Sequence, residues 1–216
     1  ATETARECED AARGLDPRIS NSEGATLYTQ RSSFIYGNSH GFVGGYPTTR
    51  HGLSCAVIAQ QDDEMQRDYW YDSSRLPSAL ADPAEIGREA ARRTLARLGG
   101  RRLGTRECPV LFRADVAPSL LRSLFGAIRG HAVYRRSTFM LGKVGTQIFP
   151  DWVTVSEDPL VPRGQASAPF DNEGVATRYR ELVAGGVLQG YLLDSYAARK
   201  LGLQSTASAG GVRNAR

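Results

Sequence analysis

The amino-acid sequence predicts an α+β fold, with mixed, largely antiparallel sheets built from hairpins, packed helices and two domain portions. Three observations lead to this class. Apolar and polar residues alternate in several runs between positions 25 and 71, as in half-buried strands. Turn residues separate these runs at distances that suit hairpins. Two longer segments, around positions 90 and 120, carry apolar residues at helical spacing.

The first domain portion is predicted to span residues 1–104 and to combine hairpin strands with two helices. The first helix ends at Gly14, ahead of Asp16 and Pro17. The run 61–64, with two consecutive aspartates, indicates a hairpin turn. The predicted elements are a helix over 2–13, strands over 25–36, 53–60 and 65–71, and a helix from 82 to about 98.

The second of these helices has a full start signal. Asp82 precedes Pro83, and Glu85 follows at the third helical position. An N-cap aspartate accepts hydrogen bonds from free backbone N–H groups, and proline suits the first helical position, where an N–H has no partner in any case. Gly99 and Gly100 end the pattern. We therefore expect Asp82 to cap this helix.

The second domain portion, residues 105–216, is predicted to hold two helices and several short strands. Gly185 and Gly186 indicate a hairpin turn between two of the strands. The predicted elements are strands over 109–112, 151–156, 178–183 and 187–193, and helices over 115–128 and 195–201. The apolar face of the longer helix is assigned to Leu120, Leu121, Leu124, Phe125 and Ile128.

The composition, 41% apolar and 23% charged, is typical of a globular protein. No apolar run approaches the ~20 residues that cross a bilayer, and the acidic start is unlike a signal peptide. Three cysteines without a CxxC pair predict reduced thiols and a cytoplasmic location. Both ends fall inside expected structure, so we expect a fragment of a longer protein that is a poor monomer alone.

The net charge of +4 comes mainly from arginines spread along the chain. The densest cluster, at positions 97–106, follows a helix and is expected to be its solvated end. No RNP, zinc-finger or helix-turn-helix pattern accompanies the charge. Direct nucleic-acid binding is therefore not predicted.

Familiar catalytic motifs are absent from the sequence: it has no G-x-S-x-G, no P-loop and no G-x-G-x-x-G. The histidines His40, His51 and His131 lack zinc-site spacing, and the first two are expected to bond backbone groups. The run 171–174 begins like a calcium loop but lacks the later glutamate, so a turn is predicted. On these residues alone, no catalytic or metal site is assigned.

A glycine-rich stretch from Gly37 to Thr49 is predicted to be a loop. Because glycines have no side chain, a second chain could approach the backbone closely here. Extended peptides are commonly bound through such backbone hydrogen bonds. Polar side chains that could contact a peptide or a partner are Asn38, Ser39, His40, Arg50 and His51. The alternative is a tight hairpin whose glycines only satisfy turn geometry.

Five strings along the whole chain resemble the PmbA/TldE family, a branch of the TldD/PmbA metallopeptidases also described as modulators of DNA gyrase. No single string is specific, but the set is. The strings lie at residues 37–41, 65–69, 134–139, 169–175 and 195–203. The resemblance implies a middle fragment: 1–104 would end an N-terminal α/β domain, and 105–216 would begin a PmbA/TldD-type C-terminal domain.

The resemblance also implies that two different subunits have different roles. PmbA/TldE proteins pair with a TldD subunit, whose helical H-E-x-x-x-H holds zinc and supplies a glutamate base. Placing the TldD pattern L-L-H-E-A-V-G-H on residues 120–127 puts Arg122 and Ser123 where TldD has histidine and glutamate. A guanidinium has no lone pair for a metal, and a serine is no carboxylate base. The chain is therefore expected to bind no cofactor, with zinc on the partner.

The resulting hypothesis is a non-catalytic subunit of a cytoplasmic zinc metallopeptidase that acts on unfolded peptides. Two alternatives stay open. The chain could belong to a metallopeptidase active on its own through a different metal site. It could instead be a regulatory protein that binds DNA gyrase, although no residue pattern supports that partner.

Overall fold

The computed structural model describes all 216 residues and divides into two compact units. The first unit comprises Ala1–Ser33 and Pro47–Glu107. The second comprises Phe34–Tyr46 and Cys108–Arg216. Helices occur together with antiparallel sheets, which confirms the predicted α+β class. None of the helices combines the length and apolar character that a membrane span requires.

A three-stranded sheet contains β1 (Ile19–Gly37), β2 (Val43–Gln61) and β3 (Glu64–Ser74), in the order β1-β2-β3. Strands β2 and β3 are antiparallel, with Gln61 opposite Glu64. The predicted turn between them is present, and Asp62 takes a positive φ of 52°, which aspartate tolerates better than most residues. The hairpin read from the sequence is therefore confirmed.

Two helices of the first unit, α1 (Thr2–Arg13) and α2 (Pro83–Leu95), share a core with residues of the sheet. A short 3₁₀ helix, Pro77–Ala79, precedes α2. Alternate β2 residues point into this core, in agreement with the period of a half-buried strand. The buried members are Cys8, Ala12, Ile19, Leu53, Cys55, Val57, Ala59, Ile86, Ala90 and Ala91.

Helix α2 begins as the sequence predicts. The Asp82 carboxylate accepts a 3.0 Å hydrogen bond from the backbone N–H of Glu85, and Pro83 occupies the first turn. Arg88 and Arg92 in turn pair with glutamates of the same helix. The capped start and the paired charges stabilise the exposed side of a helix whose other side is in the core.

The second unit contains α3 (Pro118–Ala127), α4 (Gly130–Tyr134) and α5 (Ser195–Leu201). Its sheet has the order β4-β5-β6, formed by β4 (Val155–Glu157), β5 (Arg180–Ala184) and β6 (Val187–Leu188). The Gly185–Gly186 turn is confirmed between β5 and β6, and both glycines have positive φ. One core cluster lies among α3 and the sheet, and a smaller one lies between α4 and α5.

Several strand predictions in the second unit are wrong or too long. Residues 109–112 form no strand, and Leu111 is 92% exposed. The strands expected over 151–156, 178–183 and 187–193 shorten to β4, β5 and β6. A strand needs a hydrogen-bonded neighbouring strand as well as a suitable composition, and few neighbouring strands are present in this unit. Backbone hydrogen bonds in turns and isolated β-bridges hold much of the unit instead.

The predicted loop from Gly37 to Thr49 is also wrong in extent. Only residues 38–42 connect the strands, because β2 begins at Val43. Gly44 and Gly45 lie within β2, where their missing side chains make room for neighbours. A Cβ on Gly44 would lie 2.7 Å from the Phe42 ring, and one on Gly45 would lie 2.9 Å from the Phe34 carbonyl oxygen. These glycines permit close packing and do not mark a turn.

Candidate functional site

Helix α3 presents its polar residues outward. Leu124 and Ile128 are buried, whereas Arg122 and Ser123 are exposed. The Ser123 hydroxyl donates a 3.1 Å hydrogen bond to the Ser119 carbonyl one turn earlier. Leu120, assigned to the apolar face from its spacing, is 51% exposed, so that part of the prediction is wrong. Helix α3 thus carries on its accessible side a cation and a hydroxyl that is hydrogen-bonded within the helix.

Metal-binding residues do not converge anywhere in the chain. No three His, Cys, Asp or Glu side chains lie close enough together to hold an ion. His40 and His131 are exposed, and His51 is buried with a protein partner. The residues on α3 do not fit zinc either, since a guanidinium offers no lone pair. No metal-dependent step can be derived from the side chains of this chain.

The connection between β1 and β2 is organised by Asn38. Its side-chain oxygen accepts hydrogen bonds from the backbone N–H groups of His40 (3.0 Å) and Phe42 (3.2 Å). Its backbone N–H donates to the Phe42 carbonyl at 3.0 Å, which closes the loop. Asn38 is half-buried, while Ser39 and His40 are exposed. Of the three, Ser39 and His40 have side chains available to a second molecule.

An aromatic cluster supports this loop within the second unit. The Phe170 ring lies 5.1 Å from Phe42, 5.4 Å from Tyr46 and 6.0 Å from Phe34, centroid to centroid. The Phe42 and Tyr46 contacts are edge-to-face, a favourable arrangement of ring quadrupoles. Phe170 thus anchors the loop through contacts with three other rings.

The two remaining candidates lie in β2 and have different environments. Arg50 is exposed. His51 is 5% exposed, and its Nδ1 lies 3.1 Å from the Thr29 hydroxyl. The expectation that His51 bonds a backbone group is wrong, because the buried ring meets a side chain of β1 instead. Asn38, Ser39 and His40 belong to the second unit, and Arg50 and His51 belong to the first.

Two of the family-like strings meet at the start of α5, a contact that the sequence did not predict. Asp194 caps the helix by accepting from the Ala197 N–H at 2.7 Å. Glu173 accepts from the Ser195 N–H at 2.8 Å. Nearby, the fully buried Asp171 shapes the predicted turn, which is confirmed. The resemblance of both strings to one family was the available signal, but it carried no spatial information.

Residues 1–98 match the central domain described as PmbA/TldA metallopeptidase, and residues 105–215 match the C-terminal domain of the same description. The chain therefore belongs to the PmbA/TldD metallopeptidase family. The chain spans about half the length of the curated relatives it matches. The family defines the class of protein.

Among the relatives, the Metalloprotease PmbA of Escherichia coli is 48% identical over 214 residues, which is 99% of this chain and 48% of that protein. A Metalloprotease PmbA homolog of Haemophilus influenzae is 44% identical over the same share of this chain and 48% of its own length. A Metalloprotease TldD homolog from that organism is 29% identical over 122 residues, 56% of this chain and 25% of that protein.

Solved structures share the fold. A protein of Bacteroides thetaiotaomicron described as a modulator of DNA gyrase has a TM-score of 0.92 and 27% identity, covering 99% of this chain and 48% of the other. TldE of Thermococcus kodakarensis has a TM-score of 0.79 and 22% identity, covering 98% of this chain and 49% of its own. The latter similarity establishes the fold alone.

Proposed function

We propose that this chain is part of a non-catalytic PmbA/TldE-type subunit in a TldD/TldE zinc metallopeptidase that degrades or matures unfolded peptides. The observation that carries the proposal is the chemistry of α3. Arg122 and Ser123 occupy its exposed side, and neither is a zinc ligand or a carboxylate base. The helix keeps its buried residues, Leu124 and Ile128, and so keeps its structural role.

The partner in this proposal is a TldD-type subunit, which would carry the zinc. The similarity to a TldD homolog over 56% of this chain supports a common architecture for the two subunits. Zinc bound there would activate a water molecule for attack on the peptide carbonyl. This chain would contribute surfaces that hold the peptide or the partner, and its own side chains would move no proton in the reaction.

The connection between β1 and β2 is the surface we assign to peptide or partner contact. The hydrogen bonds of Asn38 fix its shape, and the aromatic cluster around Phe170 anchors it. A pre-shaped loop loses little conformational freedom on binding. Ser39 and His40 would make the contact, with Arg50 as a further exposed candidate. His51, being buried, would act only through the packing of β1 against β2.

The cellular setting proposed is the cytoplasm. An odd, sparse set of cysteines without a CxxC pair supports this setting.

Two other functions have a specific basis in the comparisons. The relatives named metalloproteases favour an activity that belongs to the full-length protein itself. The Bacteroides relative described as a modulator of DNA gyrase favours a regulatory partner. Neither accounts for the residues on α3 as directly as the non-catalytic role does.

Affinity capture with metal analysis tests the proposal. Full-length protein would be purified alone and after co-expression with a TldD-type subunit, and zinc would be measured in both samples. The proposal expects a stable pair that holds zinc and a lone protein that holds none. Zinc in stoichiometric amount on the lone protein would favour the independent metallopeptidase. Capture of gyrase without a TldD-type subunit would favour the regulator.

A further inference from the structure

A basic surface with two tyrosines at its centre lies where α4 packs against α5. Tyr134 and Tyr196 meet edge to face, with ring centroids 5.8 Å apart. The Arg135 guanidinium lies 5.8 Å from the Tyr134 centroid, and the Lys200 ammonium lies 5.6 Å from that of Tyr196. Arg136 and Arg199 are exposed beside them. We call these four cations and two tyrosines the α4–α5 patch.

The arrangement is rigid because the two helices are in close contact below it. A Cβ on Gly130 would lie 2.5 Å from the Ala197 Cβ and 2.8 Å from the Leu193 side chain. Ala197 and Ala198 are buried in the same small core. Lys200 follows Tyr196 by four residues, so helical geometry alone places the ammonium over the ring. Both tyrosines, Arg199 and Lys200 therefore lie on packed helices, and Arg135 and Arg136 follow directly after α4.

The four cations have no carboxylate partner within the chain, in contrast to the arginines of α2. Arg88 and Arg92 pair with Glu85 and Glu89, and Arg97 pairs with Asp68. Ion pairs also hold Arg180 and Arg216 in the second unit. No ion pair involves any cation of the α4–α5 patch. Its charge is left available to a second molecule.

We propose that the α4–α5 patch binds an extended, carboxylate-rich segment of a polypeptide. Tyr134 is half-buried, whereas Tyr196 is 52% exposed, and the Arg135 Nε–H donates to the Tyr134 hydroxyl at 3.3 Å. The remaining N–H donors of the cations require acceptors, and a carboxylate suits both an Arg fork and a Lys point charge. The polypeptide nature of the ligand rests on the proposed function, because unfolded peptide is its substrate class.

Fluorescence anisotropy on the full-length protein tests this without a partner subunit or hydrolysis, so its failure leaves the proposed function untouched. The probes are a labelled peptide of alternating glutamate and glycine and a matched peptide with glutamine for glutamate. At ~50 mM salt the glutamate peptide should bind, and ~0.5 M salt should release it, because exposed charges are screened. The glutamine peptide should not bind. Equal binding of both peptides would overturn the proposal.

Charge-removal variants locate the binding. The double variant Arg135→Gln/Lys200→Gln should weaken binding roughly tenfold, since two exposed ion pairs are lost. The control Arg88→Gln/Arg92→Gln removes the same charge from α2 and should change the dissociation constant less than twofold. The exchange variant Arg135→Lys/Lys200→Arg keeps both charges and should therefore still bind the glutamate peptide. Binding by this variant would show that substitution at these positions does not disrupt folding. Equal losses in the first two variants, or tighter binding of a single-stranded oligonucleotide than of the glutamate peptide, would contradict the assignment.

Discussion

Gly87 of α2 lies against the backbone carbonyl of Cys8 in α1, so closely that a methyl group on Gly87 would overlap the carbonyl oxygen. The next nearest atoms to that position are also backbone, including the amide nitrogen of Ala12 at 3.1 Å. Backbone cannot move aside as the end of a flexible side chain can. The contact between α1 and α2 therefore depends on glycine at this position.

The variant Gly87→Ala should destabilise the first unit by about 2 kcal/mol, because the overpacking cost exceeds the gain in helix propensity from alanine. Urea unfolding followed by far-ultraviolet circular dichroism measures this. Gly126→Ala is the matched control, since a Cβ there meets nothing within 4 Å. That variant should be neutral or more stable by up to about 1 kcal/mol. A neutral Gly87→Ala would show that α1 is not held against α2.

The N-cap of α2 gives a second prediction. Replacing Asp82 by alanine removes the acceptor of the Glu85 N–H and should cost about 1 kcal/mol in unfolding free energy. Asp82→Asn keeps an N-cap acceptor and should lose only a few tenths of a kcal/mol. Comparing the thermal unfolding of both variants separates the stability contributed by the capping hydrogen bond from the stability contributed by the charge. Equal losses would assign the effect to charge and not to the hydrogen bond.

The buried carboxylate of Asp171 gives a third prediction. It accepts from the N–H groups of Glu173 (2.9 Å), Val175 (3.0 Å) and Ala209 (3.1 Å) and has no exposed surface. Asp171→Ala would leave these donors without their acceptor and should cost about 3 kcal/mol or more. Asp171→Asn should be intermediate, because one oxygen is replaced by a donor. The exposed Asp151→Ala should be neutral, and a neutral Asp171→Ala would contradict the proposed network.

Thiol reactivity gives a fourth prediction. Cys8 and Cys55 are buried and Cys108 is exposed. The hydrogen bond to Cys55, together with burial, raises the pKa of the Cys8 thiol far above its usual range, so Cys8 stays protonated. Ellman's reagent should therefore modify one thiol quickly and two only after unfolding. Cys108→Ser should remove the fast phase, and a fast phase that survives would place a reactive thiol in the core.

Elements with strong local signals were predictable from the sequence. Helix α1 was predicted with its observed ends, the cap at Asp82 is present, and the hairpin turn at Asp62 is confirmed. In each case the determining interactions lie within a few residues. A capping carboxylate, a proline at the first turn and a turn aspartate act on their immediate neighbours, so a single sequence is enough to read them.

Features set by distant residues were not predictable. Gly44 reads as a loop residue, but it lies in β2, where the rings of Phe42 and Phe170 occupy the space that a side chain would need. Val110 and Leu111 have strand composition, yet they form no strand and are exposed. The burial of His51 against Thr29 depends on the pairing of β1 with β2. The candidate site residues could be chosen from the sequence. Only the fold shows that Ser39, His40 and Arg50 are exposed and that His51 is buried.

Peptide hydrolysis by reconstituted subunits tests the central claim most directly. Full-length protein and a TldD-type subunit would each be assayed alone and together on an unfolded peptide, with Arg122→Ala in this protein and a Glu→Gln change in the partner's H-E-x-x-x-H. Our account predicts no hydrolysis by this protein alone, hydrolysis by the pair, its loss with the partner variant, and less than a twofold change with Arg122→Ala. Metal-dependent hydrolysis by this protein alone would contradict the account.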